Sequence, residues 1–133
     1  MVFCGTPDGR AAQANAMQVE LDAFSGRPNP VWELRGGSAE KILERLRKLQ
    51  PAPQSSSDEA GLGYRGFVLR PNGGSLNGYD EIRIIHGRVF ARHAGRSLVL
   101  SDNQGTLEQM LLESAKPYVS DAAMQYIRGE IRR

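Results

Sequence analysis

The chain has one cysteine and two histidines in 133 residues. A single thiol, Cys4, excludes an intramolecular disulfide and any cysteine-based zinc cluster. Two imidazoles are too few for a His-rich metal site, so neither a metal nor a cofactor is expected. Apolar runs are only a few residues long, which excludes a helical membrane span. Lysine is also scarce, 3 residues against 14 Arg, and no run of basic residues of the kind found in nucleic-acid-binding arms is present.

What remains is ordinary for one globular domain. Apolar residues make up 40% and charged residues 24% of the chain, and the length suits a single core. The 17 basic and 15 acidic residues are unevenly spread. Six arginines lie between Arg65 and Arg96 against only Asp80 and Glu81, so the central segment is locally basic.

Residues 1–16 are rich in Gly, Ala, Gln and Asn without periodicity and read as a disordered lead-in to a domain over 17–133. Ala12-Gln13-Ala14 is similar to a signal-peptidase site, but no apolar core precedes it. A cytoplasmic location is the expectation; a start site further upstream would favour export.

Met17, Val19 and Leu21 alternate with polar residues and predict a strand. Val31–Leu34 predicts a second, followed by a Gly36-Gly37 break. Ser38 is the expected N-cap of a helix carrying Ile42, Leu43, Leu46 and Leu49 on one face and ending at Pro51. Residues 51–60 read as a surface loop, 62–69 as a strand and 70–79 as turn-rich. His86-Gly87 and Ala94-Gly95 are expected two-residue hairpin turns. They fix a meander in which Ile82, Ile84, Val89, Ala91, Leu98 and Leu100 share a face, and Glu81 lies opposite Arg92. A helix over 107–115 and another capped by Ser120 close the chain. The expected fold is α+β: an antiparallel sheet of about five to six strands with two to three helices packed on one face.

The segment Phe24-Ser25-Gly26-Arg27-Pro28-Asn29-Pro30, followed by Trp32, resembles one in a group of small, uncharacterised bacterial proteins. The Gly63–Phe67 run is similar to a later segment of that group, so the resemblance covers the first half of the chain. It implies a common fold and brings no activity with it.

Pro28 and Pro30 stiffen this loop and hold Arg27 and Asn29 extended. An arginine so held loses little entropy on meeting a carboxylate or phosphate. The expected ligand-binding residues are therefore Asp22, Phe24, Arg27, Asn29 and Trp32, joined by Tyr64 and Arg65. The leading expectation is a non-enzymatic binding or protein-interaction domain that takes a protein or a small anionic ligand. The enzymatic alternative pairs Asp80 with His93 as a base, with Arg27 as anion clamp. Against it, neighbouring residues supply no nucleophile. A third reading places single-stranded nucleic acid on Arg83, Arg88 and Arg92 around Phe90, although Glu81 offsets that patch. The same face could instead join two copies in a homodimer. The Gly-rich stretch 72–78 lacks a P-loop ending and reads as a mobile loop.

Overall fold

The computed structural model describes residues 16–23, 28–52, 64–72, 76–102 and 104–131. Strands β1 (Met17–Leu21) and β2 (Val31–Leu34) lead to helix α1 (Gly36–Arg47) and a short strand β3 (Gln50–Pro51). Strands β4 (Phe67–Pro71), β5 (Glu81–Ile85), β6 (Arg88–His93) and β7 (Arg96–Ser101) follow, then helices α2 (Thr106–Ser114) and α3 (Asp121–Ile131). The strands form one antiparallel sheet of seven in the order β2-β1-β4-β5-β6-β7-β3. Chain neighbours β2 and β3 hold opposite edges, so α1 carries the chain from one edge to the other.

Alternation decides the two faces. Met17, Val19, Leu21, Phe67, Leu69, Ile82, Ile84, Val89 and Ala91 are buried on the helix side. They pack with Ile42 and Leu46 of α1, Leu107, Leu111 and Leu112 of α2, and Met124 and Ile127 of α3. Apolar burial on this scale is the dominant stabilising term. The opposite, outer face carries Glu20, Arg70, Glu81, Arg83, Arg88 and Arg92, with Val68, Ile85 and Val99 between them.

The meander keeps the expected register. Ile84 pairs with Val89 and Ile82 with Ala91, and Val89 pairs with Leu100 and Ala91 with Leu98. Both turns have positive φ at their two central residues, His86-Gly87 and Ala94-Gly95, as type I′ hairpins require. Ser120 caps α3, its Oγ accepting from the Ala123 amide at 3.2 Å.

Several local expectations are corrected. Strand β3 extends the sheet beyond the expected count; Pro51 does not merely stop a helix but pairs with Leu100 at an edge, where proline is tolerated. Helix α1 starts at Gly36, so Ser38 lies inside its first turn. Gly36 adopts φ +61°, which turns the chain directly out of β2 and leaves no separate break. Ala16, assigned to the lead-in, is buried. Strand β4 begins only at Phe67, because Gly66 at φ +96° interrupts the pleat, and it runs on through Pro71. A Cβ on Gly66 would collide with the Ile84 carbonyl and approach Ile85 Cβ to 2.9 Å. Among the described residues, no helix is long and apolar enough to cross a membrane.

Candidate functional site

The β1–β2 connection leaves the sheet at Asp22 and re-enters after Pro30, where the Leu21 amide donates to the Pro30 carbonyl at 3.0 Å. Asn29 staples its base. Its side-chain oxygen accepts from the Ala23 amide at 3.3 Å, and its Nδ2 donates to Glu20 at 2.9 Å and to Asp22 at 3.3 Å. The segment before β4 lies alongside. The Arg65 amide donates to the Asp22 carbonyl at 2.7 Å, and the Asp22 amide donates to the Gly66 carbonyl at 2.9 Å.

Three of the expected ligand-binding residues, Asp22, Asn29 and Arg65, thus come together on the outer face. The Asp22 carboxylate takes a hydrogen bond from Arg83 at 2.9 Å and lies 3.7 Å from Arg65 Nε. Arg83 also donates to the Arg65 carbonyl at 2.8 Å, and this anchors the segment. One row further along the sheet, Arg70 bonds Glu20 at 2.9 Å and approaches Glu81 at 3.6 Å. Glu81 in turn meets Arg92 at 3.2 Å, so the expected cross-strand pair is an ion pair. Hydrogen bonds from Arg70 and Asn29 hold the Glu20 carboxyl below the usual carboxylate range. The same ion pair raises Arg70.

Two aromatics expected at the site lie elsewhere. Trp32 faces the core, 4% exposed, with Nε1 donating to Ser114 Oγ at 3.0 Å and its ring stacked on Tyr118 at 5.7 Å. Its place in the β2 alternation, level with Val19, turns it toward the helices and away from the loop's outer side. Tyr64 is 5% exposed and donates its hydroxyl to the buried Glu108 at 2.5 Å. Burial and the Glu108 carboxylate push the Tyr64 hydroxyl pKa far above its ordinary range. Glu108 also accepts from the Gly87 amide at 3.1 Å, and the Tyr64 ring meets His86 edge-on at 5.8 Å. Both aromatics are therefore buried in the core. Phe24 and Arg27 lie outside the described residues.

Asp80 and His93 stand at the open end of the β5–β6 pairing. The Asp80 carboxylate accepts from the Ala94 amide at 3.0 Å, so it caps the hairpin turn. It makes no hydrogen bond with His93. Around Phe90, Arg83 and Arg92 are held by carboxylates, while Arg88 is exposed without a partner among the described residues. No group of three His, Cys, Asp or Glu side chains among the described residues could hold a metal ion.

The Gly-rich stretch also needs correction at its described end. Leu76 and Tyr79 bridge across a tight turn with positive φ at Asn77 and Gly78. Asn77 Nδ2 donates to the Leu43 carbonyl at 3.1 Å, and Arg47 donates to Asn77 at 3.1 Å, pinning the turn to α1. This turn and the β6–β7 hairpin enclose a cleft of about 400 Å³ that sequence reading missed. The Asn-Gly dipeptide was its available mark, being a strong type I′ signature. No known family, curated protein or solved structure matches the chain.

Proposed function

We propose that the chain is a non-enzymatic binding domain. Its contact surface is the outer face where the stapled β1–β2 loop meets Arg65, and its partner is an acidic protein segment or a small anion. One observation carries this reading: among the described residues, Arg65 is the more loosely held of the two arginines at Asp22. Asp22 is already satisfied by Arg83 at 2.9 Å and by Asn29. Arg65 stands 3.7 Å away with its side chain 50% exposed, while its backbone is tied to Asp22. A guanidinium so placed can present its donors to an incoming carboxylate or phosphate without breaking the framework. The Asn29 staple supports the reading further, because pinning the described base of the loop lowers the entropy lost there on binding.

Affinity capture with the wild-type protein and the Arg65→Ala variant side by side tests this. The expected result is a partner retained by the wild type and lost by the variant, with the melting temperature unchanged. Equal retention by both proteins, or unfolding of the variant, overturns the proposal. Arg83→Ala is the contrasting control and should lower the melting temperature, since it removes the main partner of Asp22 and the anchor on the Arg65 carbonyl.

A further inference from the structure

The cleft beside the β6–β7 hairpin has an apolar wall and a basic rim. Ala91 and Leu98 are cross-strand partners on the helix side of the sheet, yet Leu98 is 38% exposed. With Tyr79 they supply the wall. At the rim, the register sets His93 directly opposite Arg96. Two basic side chains facing each other across strands form no cross-strand ion pair. Neither has a hydrogen-bond or ion-pair partner among the described residues, and no Asp or Glu stands among the described lining residues. Asp80 is engaged by the Ala94 amide and does not line the cleft. Arg47, tied to Asn77, adds a further positive charge beside the pinned turn.

We propose that this cleft binds a small organic carboxylate with a flat apolar body. The apolar part lies against Leu98, Ala91 and Tyr79, and the carboxylate is held by Arg96 and His93. The volume, about 400 Å³, falls in the range of small-molecule sites and leaves room for a fused two-ring body. Arg96 offers the planar fork that matches a carboxylate, and an imidazole N–H donates to an anion in either protonation state. The walls are preformed by two type I′ turns, Asn77-Gly78 and Ala94-Gly95, so little ordering is needed on binding. This site lies apart from Arg65, and the two proposals stand or fall separately.

The test is an NMR titration of isotope-labelled protein with 2-naphthoate, repeated with the neutral 2-naphthalenemethanol. Saturable amide shifts confined to residues 77–79 and 91–98 are expected with naphthoate. Binding of the alcohol should be weaker by about tenfold or more, the loss expected for a charge-assisted hydrogen bond. Arg96→Gln should weaken naphthoate by a similar factor with the melting temperature unchanged. Leu98→Trp should block the cleft, while Arg88→Gln, on the opposite face, should leave affinity as it was. The proposal is overturned by absent saturation at millimolar naphthoate, by shifts spread over both faces, by equal binding of acid and alcohol, or by an Arg96→Gln variant that binds like the wild type.

Discussion

The outer face of the sheet and the cleft behind its β6–β7 hairpin are both lined with arginine, and they treat it differently. On the outer face Arg65, Arg70, Arg83 and Arg92 lie 2.9 to 3.7 Å from carboxylates of Asp22, Glu20 and Glu81, and Arg88, beside the β5–β6 turn, is the exception. At the cleft Arg96 faces His93 with no acid opposite. The residue type is the same; the strand alongside differs. A row of the sheet that alternates sign uses its charges on itself. A row that sets two basic groups side by side leaves them for something else. Arg65 falls between these limits, because Asp22 prefers Arg83. This contrast separates charges that hold the fold from charges that are spare.

Breaking the framework of the outer face should have the largest effect. Gly66→Ala places a Cβ against the Ile84 carbonyl at a backbone angle L residues rarely adopt. Its expected cost is about 3 kcal/mol, combining steric overlap with backbone strain, and chemical denaturation reads it. Next comes the buried acid behind the same segment. Glu108→Ala leaves the Tyr64 hydroxyl and the Gly87 amide without their acceptor. About 2 kcal/mol of stability should be lost, and Glu108→Gln, which keeps an acceptor, should lose less.

The Tyr64 hydroxyl also predicts an alkaline limit. Its pKa is raised in the folded state, chiefly by burial and then by the Glu108 carboxylate. The unfolded chain therefore releases this proton first, from about pH 10 upward. The stabilisation is fully present below that pH and is lost as pH rises beyond it. Tyr64→Phe should flatten the alkaline fall of the denaturation midpoint; an unchanged slope would count against the buried hydrogen bond.

A matched pair sharpens the comparison directly. Arg70→Ala removes a cation shared by Glu20 and Glu81 and should destabilise by about 0.5–1 kcal/mol, a modest figure because the site is partly solvated. Arg96→Ala should change stability by less than about 0.5 kcal/mol. Equal losses at both positions would erase the distinction between structural and spare arginines. A comparably small effect is a gain: Ala94 adopts φ +52° in its turn, and Ala94→Asn should stabilise by about 0.5 kcal/mol, measured by thermal unfolding.

The meander was legible because two glycine turns fix its register and alternation then assigns its faces. The pairing of Glu81 with Arg92 follows from the same two turns. Strand β3 was not legible: two residues carry no period, and Pro51 reads locally as a stop. At the loop, Asp22, Asn29 and Arg65 could be singled out by residue type and stiffness. The burial of Trp32 and Tyr64 could not, since an aromatic beside an arginine has the same sequence whether it faces a ligand or a core. The cleft was hidden for a related reason. Its lining is drawn from three separate stretches, and the Asn77-Gly78 turn becomes a wall only because Leu43 of α1 stands behind it.

Alternation, turn glycines and helical spacing thus determined the element types, most of their order and the sides they turn to the core. These depend on interactions between residues close in the chain. Tertiary structure alone decided which charges far apart in the chain satisfy one another. Arg83 reaches Asp22 across 61 positions of sequence and Arg45 reaches Asp102 across 57. Ionic attraction between exposed charges is weak in water and is screened beyond about 8–10 Å, so a charge is spent or spare according to which strand the fold lays beside it.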